Sequence, residues 1–147
     1  MKYAKITVQL LLGLFMTYAG VGHLTHLRQE FVAQVPMWLR WSEGFTDFVV
    51  LSSGVVEITL GLAMLLLWRW RGWVGVALAL ALFYVLIFPG NINQWVYGID
   101  AFGLNTDGLR LLRLFFQPVL VAAALWSTGG WALLRRCTLR GPFAGRG

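Results

Sequence analysis

The chain has 147 residues, of which 59% are hydrophobic and only 12% are charged. A water-soluble domain of this size keeps about a quarter of its residues charged, so the composition indicates that the surrounding solvent is largely lipid. The formal net charge of +6 would suggest nucleic acid as the partner of a soluble protein, but here the basic residues flank apolar runs. We therefore expect a lipid bilayer as the partner and no nucleic acid.

Four segments are long and apolar enough to cross, or nearly cross, a hydrocarbon core of about 30 Å as helices. They are residues 6–22, 48–68, 73–88 and 111–134. Because the runs are continuously apolar, they do not fit a membrane β-barrel, whose strands alternate apolar and polar residues. The predicted fold is all-α, a transmembrane four-helix bundle formed by a single domain over residues 1–134, with a basic cytoplasmic tail at 135–147.

The first predicted span follows Lys2 and Lys5 and leads into a long connection. This connection contains the sequence VPMWLRW, which we interpret as a segment that lies along the membrane surface. The basic start and the triplet Thr17-Tyr18-Ala19 are also compatible with a secretory signal peptide. In that case the second, third and fourth spans would keep the same orientation.

The second predicted span contains a carboxylate, Glu57, within the run SSGVVEITLGL. Measured along the helix axis, Glu57 lies roughly 14 to 16 Å from either end of the span, which places it near the membrane midplane. A carboxylate at that depth costs about 2.5 to 3.5 kcal/mol, so we expect Glu57 to face the bundle interior and to have a partner. Ser53 is within reach of Glu57 for a local hydrogen bond. A functional acid and a structural hydrogen bond are both open interpretations.

The third and fourth spans supply the other polar side chains. Tyr84 lies at about the same depth as Glu57, and Asn91 follows an expected turn at Pro89. Arg113 and Gln117 lie on one stripe of the fourth span. Packing hydrogen bonds between helices and arginines that reach the membrane surface are the alternative interpretations.

Together the polar side chains predict a funnel that opens toward the outer face, with Glu57 and Tyr84 at its floor. Its upper members are His23, His26, Asn91, Asn93, Arg110, Arg113 and Gln117. Two histidines and a carboxylate can bind zinc or iron, but the estimated depth of Glu57 places it too far below His23. We therefore predict no metal, and the single cysteine, Cys137, excludes a disulfide within the chain.

The distribution of basic residues predicts the orientation. Eight of them lie on the side of the termini and four on the side of the long connections. The first group is Lys2, Lys5, Arg69, Arg71, Arg135, Arg136, Arg140 and Arg146, and the second is Arg28, Arg40, Arg110 and Arg113. Because positive residues concentrate on the cytoplasmic side, both termini are predicted to be cytoplasmic.

Five motifs follow one another in an order that resembles the DoxX-like family of four-helix membrane proteins. They are GVGHLTH, VPMWL, SGVVEITLGLAMLL, FPGNIN and FFQP, and the likeness runs from Gly20 to Trp126. The chain departs from the family pattern at Leu24, where members tend to carry phenylalanine, and at Phe116, where they tend to carry leucine. The resemblance implies a role in quinone-linked redox complexes and a site formed by His23, Pro36, Glu57, Pro89, Asn91 and Gln117.

The leading hypothesis is a multi-pass protein of the cell inner membrane that binds a quinone or quinol as a subunit of a redox complex. Its catalytic residues would be Glu57, which accepts a quinol proton, and His23, which passes the proton outward. Its ligand-binding residues would be Tyr84, Asn91, Arg113 and Gln117. Quinone would be the only cofactor and would be bound noncovalently. A protein partner carrying a redox centre would take the electrons, so any enzymatic turnover would be that of the complex.

Two alternatives remain at this point. In a small proton-coupled transporter, Glu57 would bind a proton and a cationic solute in turn. In a non-catalytic scaffold, Glu57 would be a buried hydrogen-bond anchor that holds helices together.

Overall fold

The structure is a computed structural model that describes residues 2–66 and 73–139. Every regular element in these two ranges is helical, with a short 3₁₀ turn at Met37–Leu39. The α-helices are α1 (Lys2–Leu24), α2 (Arg28–Gln34), α3 (Glu43–Leu66), α4 (Trp73–Val96), α5 (Asp107–Thr128) and α6 (Gly130–Leu139). Among the described residues, α1, α3, α4 and α5 are long and apolar enough to cross a membrane. The prediction of an all-α protein with four candidate membrane helices is therefore confirmed.

The four long helices form an antiparallel bundle. Helix α1 packs against α3 and α5, α4 packs against α5, and α3 approaches α4 less closely. We call the end of the bundle that carries residues 25–42 and 97–106 the loop end. The opposite end, which carries Lys2, Leu66 and Thr128, is the terminal end.

Small residues set the distance between α1 and α3. A Cβ atom on Gly20 would lie 2.6 Å from the backbone oxygen of Gly54, and one on Gly61 would lie 2.7 Å from the backbone nitrogen of Thr17. No larger side chain fits there without separating the helices. The two backbones can approach this closely because glycine has no side chain. Lipid gives helices little hydrophobic reason to associate, so this close packing supplies the attraction instead.

The apolar core occupies the terminal half of the bundle, between the four long helices. Its buried members are Leu12, Met16, Met64, Ala77, Leu80, Ala81, Ala124 and Leu125, and Tyr84 lies at the boundary with the loop half. One polar side chain lies among them: Gln9 is buried and donates a hydrogen bond to the backbone oxygen of Met64 at 3.1 Å. This half therefore has apolar packing and a satisfied polar group.

Helix α4 differs from its predicted span, because it runs through Pro89 to Val96 instead of turning at the proline. Proline has no N–H, so the oxygen of Val85 loses its usual donor within the helix. One residue earlier, the oxygen of Tyr84 accepts a hydrogen bond from Gln117 Nε2 at 2.7 Å. A side chain of the neighbouring helix thus supports the backbone beside the proline.

Helix α5 also has different ends from those expected. It begins at Asp107, where the Thr106 side chain caps it, and it ends at Thr128 because Gly129 adopts a left-handed conformation with φ of 77°. The predicted span to residue 134 is therefore broken, and α6 follows. Residues 69–72 of the predicted inner turn and residues 140–147 of the predicted tail lie outside the described residues.

Candidate functional site

A cavity of about 380 Å³ lies in the loop half of the bundle. Side chains from α1, α3, α4 and α5 form its walls. Side chains from the first connection (residues 25–42, which include α2) and from the second connection (residues 97–106) cover it. Six of the residues that line it are those predicted to form the site: His23, Glu57, Tyr84, Asn91, Arg113 and Gln117. The fold thus brings together residues that come from four different helices.

The centre of the site is a contact between His23 and Glu57. His23 Nε2 lies 3.2 Å from Glu57 Oε2, and the two residues are only 5% and 4% exposed. No aligned hydrogen bond joins these two atoms. The expectation that Glu57 lies too deep to reach His23 is wrong.

Helix geometry explains this contact. Side chains on a helix tilt toward its N-terminus. Because α1 and α3 are antiparallel, His23 tilts away from the loop end and Glu57 tilts toward it, so the two side chains approach each other. The contact also needs close backbones: a Cβ on Gly54 would lie only 2.6 Å from His23 Cβ.

The surroundings of His23 fix where its protons lie. Its Nδ1 is 3.0 Å from the backbone oxygen of Val50 and 3.1 Å from Ser53 Oγ. Because a backbone oxygen can only accept, Nδ1 carries a hydrogen and donates it. Ser53 therefore bonds to His23 and to Val50, and not to Glu57 as predicted.

In this tautomer the second ring nitrogen, Nε2, faces Glu57 Oε2. If Nε2 and Oε2 were both unprotonated, two lone pairs would face each other in a buried place, which is unfavourable. One of the two atoms must therefore hold a proton. Neither atom has an aligned hydrogen-bond partner among the described residues.

Tyr84 and Arg113 lie close enough to Glu57 for its charge to act on both. The Tyr84 hydroxyl is buried and has no hydrogen-bond partner among the described residues. Arg113 donates to Gln34 Oε1 at 3.0 Å, and its guanidinium lies 4.6 Å from the centre of the Phe102 ring. A guanidinium carries five N–H donors, so Arg113 retains donors for a ligand.

Asn91 and Gln117 line the cavity but are bonded to each other. Asn91 Nδ2 donates to Gln117 Oε1 at 2.9 Å, and Gln117 Nε2 donates to the oxygen of Tyr84. Both side chains are buried. In this arrangement they connect α4 to α5, and their binding of a ligand stays a prediction.

Three members of the predicted funnel do not line the cavity. Arg110 is buried and forms ion pairs with Asp100 and Asp107. His26 is exposed, with its ring nitrogen 3.1 Å from Thr25 Oγ1. Asn93 is buried elsewhere on α4. The predicted stripe therefore divides, because Arg110 faces the second connection while Arg113 and Gln117 face the cavity.

The predicted outward opening of the funnel is also wrong, because α2 and the second connection cover the loop end of the cavity. The ring of Phe31 stacks on His23 with centroids 3.3 Å apart, and Phe102 meets Phe31 edge-on at 4.7 Å. Gln34 Nε2 donates to Gln94 Oε1 at 2.6 Å. Phe31, Gln34 and Phe102 lie in segments predicted to be connections, and no spacing in the sequence relates them to the spans.

No group of three or more histidine, cysteine, aspartate or glutamate side chains within residues 2–66 and 73–139 is placed to hold a metal ion. His23 and Glu57 supply two ligands only, and the cavity contains no third among its lining residues.

The fold and the cavity define a multi-pass membrane protein with a buried acid–base pair between its helices. The chain belongs to a family described as a domain of unknown function, DUF8561, which matches residues 12–128. This range contains all the residues of the site. No curated protein and no solved structure matches the chain.

Proposed function

We propose that the protein binds the head group of a quinol or quinone in this cavity, as a subunit of a membrane redox complex. The observation that carries the proposal is the contact of His23 Nε2 with Glu57 Oε2 at the wall of a largely apolar cavity. A quinol has a flat apolar ring and hydroxyl groups that lose a proton on oxidation, and both properties suit such a site.

The dimensions and lining of the cavity support a ligand of this size. Small-molecule sites typically measure about 300 to 1,000 Å³ and combine apolar walls with a few placed polar groups. The cavity of about 380 Å³ falls at the lower end of this range. Its apolar walls include Met16, Val50 and Leu120.

In the proposal each polar side chain has a distinct role. Glu57 accepts a proton from a ligand hydroxyl, while His23 holds the proton already present in the pair. The unpartnered Tyr84 hydroxyl donates a hydrogen bond to a ligand oxygen. Arg113 lies beside the pair and offsets negative charge on the ligand or on Glu57.

When bound, a quinol supplies two electrons and two protons as it becomes a quinone. Glu57 accepts one of the two protons, and a partner protein with a redox centre takes the two electrons and the second proton. The resemblance to the DoxX-like family supports this assignment, since that family is linked to quinone-dependent membrane complexes. In the proposal this chain therefore orients the ligand and accepts its proton.

The proposed location is the cell inner membrane with both termini in the cytoplasm. The positive charge near the termini supports this orientation. The arginines at the loop end are engaged within the fold: Arg28 pairs with Asp47, and Arg110 pairs with Asp100 and Asp107.

The test is a binding measurement on purified protein in lipid nanodiscs. A short-chain ubiquinone is titrated while the quenching of tryptophan fluorescence is followed. We expect saturable binding in which a ubiquinone oxygen accepts a hydrogen bond from the proton held by His23 and Glu57. Binding should weaken by about tenfold or more in Glu57→Gln, because the charge assistance of that hydrogen bond is lost. The matched control is Glu43→Gln, an exposed acid at the start of the same helix, which should bind as the wild type does.

The nanodisc titration and a separate proteoliposome assay distinguish the alternatives. A scaffold predicts no saturable binding in the wild type, together with an intact fold in Glu57→Gln. A proton-coupled transporter predicts proton release from proteoliposomes when cationic solutes are added. Absence of ubiquinone binding above that of empty nanodiscs would reject the proposed function.

A further inference from the structure

The loop end of the cavity is closed by what we call the roof, formed by Phe31, Gln34, Phe102 and Arg113. All four side chains line the cavity, and none of them is exposed. The stacked rings of Phe31 and His23 lie within 21° of parallel, so Phe31 covers the imidazole face. Gln34 accepts from Arg113 and donates to Gln94, which joins α2 to α5 and α4.

Further contacts fasten the roof at the N-terminal end of α2. Arg28 forms a two-bond ion pair with Asp47 on α3. Glu30 Oε2 accepts a hydrogen bond from the backbone N–H of Phe102 at 2.7 Å. Hydrogen bonds that include a charged group are stronger than neutral ones. Lifting α2 would break all of these contacts together, so the roof separates the cavity from water.

The sides of the cavity are different, because several side chains there both line it and are exposed. On α1 these are Phe15 and Tyr18, which are 48% and 62% exposed, and on α5 Phe116 is 54% exposed. Ala19, a small residue, lies on α1 beside them and also lines the cavity. A side chain that touches both the cavity and the surroundings marks an opening, here the cleft between α1 and α5.

A second exposed group in the lining consists of Trp38, Leu86 and Pro89. It includes a side chain of the 3₁₀ turn, so this edge lies partly beside the connection at the loop end. The α1–α5 cleft is formed by residues of membrane helices alone. It therefore faces the hydrocarbon region, where a ligand with an apolar tail is dissolved.

We propose that the ligand is a membrane-dissolved amphiphile that enters and leaves sideways through the cleft between α1 and α5, under a roof that stays closed. This inference rests on the proposed function and adds the route and the class of ligand. The head group reaches His23 and Glu57, while the apolar tail remains in the cleft between Phe15 and Phe116. Water-soluble solutes do not share this route.

The first test compares variants at the two edges. Proteoliposomes are mixed with donor vesicles that contain a short-chain ubiquinone, and tryptophan quenching gives the loading rate. Ala19→Trp fills the cleft and should slow loading by about tenfold, whereas Phe116→Ala widens the cleft and should accelerate loading. Leu86→Trp, at the other edge, should slow it less. A larger effect of Leu86→Trp than of Ala19→Trp would overturn the assigned route.

The second test fixes the roof. Arg28→Cys and Asp47→Cys are combined in a Cys137→Ser background. A short thiol-specific cross-linker that forms reducible disulfide links replaces the ion pair. Loading from vesicles should be unchanged by cross-linking. Slower loading that recovers when the link is reduced would show entry past α2 and would overturn the inference. The single-cysteine variants, treated identically, control for modification alone.

The proposed function fails if the wild type does not bind ubiquinone. That result differs from every result that would overturn the entry route. If the wild type binds but Ala19→Trp and Phe116→Ala both load at the wild-type rate, the route is wrong and the function stands. If Ala19→Trp does not fold, Ala19→Leu and Phe116→Ala decide the question.

Discussion

The two halves of the bundle satisfy their buried groups in different ways. In the terminal half, apolar side chains such as Leu80 and Met64 are buried, and the polar Gln9 has a partner. In the loop half, buried polar atoms of His23, Glu57 and Tyr84 lack aligned hydrogen-bond partners among the described residues. Buried polar groups are usually bonded, and leaving them unbonded costs stability. Among the described residues, the unbonded buried polar side chains therefore lie in the loop half.

The α1–α3 contact extends through both halves and should be the point of greatest sensitivity. In Gly20→Leu, the new Cβ would meet the backbone of Gly54 at 2.6 Å and of Ile58 at 2.8 Å, and backbone cannot move aside. We expect a loss of about 3 kcal/mol or more in the free energy of unfolding, measured by SDS titration in mixed micelles. Gly75→Leu is the control, since nothing lies within 4 Å of that position. Equal stability of the two variants would contradict the close packing described here.

The terminal half should respond to loss of volume and leave ligand binding intact. Leu80→Ala removes a side chain that is fully buried in the core, and we expect it to lower the free energy of unfolding by about 2 to 5 kcal/mol. Ubiquinone affinity, measured by tryptophan quenching on the folded fraction, should stay near the wild-type value. A drop in affinity comparable to that of Glu57→Gln would show that the two halves are not separable.

The polar contact between α4 and α5 should have an intermediate effect on stability. Gln117→Leu leaves the oxygen of Tyr84 and Asn91 Nδ2 without this partner. Because hydrogen bonds between membrane helices average about 0.6 kcal/mol and reach about 1.7, we expect a loss in that range. A double-mutant cycle with Asn91→Leu isolates the pair, and a coupling energy of zero would show that the bond contributes nothing.

The loop half should show the smallest change in stability and a clear change in binding. Tyr84→Phe removes a hydroxyl that has no hydrogen-bond partner, so the free energy of unfolding should stay within about 0.5 kcal/mol of the wild type or rise. Ubiquinone affinity should fall by about tenfold, because a hydrogen bond to the ligand is lost. Tyr97→Phe, at an exposed position, is the control. Lower stability with unchanged affinity would assign the Tyr84 hydroxyl to packing instead.

Much of the architecture follows from the sequence because a membrane limits the choices. Long apolar runs must form helices, so the four long helices and the all-α fold are predictable. The similar depths of Glu57 and Tyr84 follow from counting residues along two helices, and both residues line the same cavity. Depth along a helix is a local property, which a sequence specifies well.

The ends of the helices are less predictable, since each depends on a partner elsewhere in the chain. Pro89 and Gly90 resemble a turn signal, yet α4 continues because Gln34, Gln94 and Gln117 give its last turns polar contacts. The end of α5 at Thr128 depends on the left-handed Gly129, which lies within an otherwise continuous apolar run. Neither outcome can be read from the local composition.

By itself the sequence determined the class of protein, its four long helices and the presence of a buried acid among them, because hydrophobicity acts residue by residue. Only the tertiary structure decided that Glu57 meets His23, since that contact requires two antiparallel helices drawn together by Gly20 and Gly54. It also decided that α2 covers the cavity, because side-chain contacts between distant segments hold it there. The depth of a residue in the membrane depends on its position along one helix, whereas contacts between side chains of different helices depend on how the helices pack.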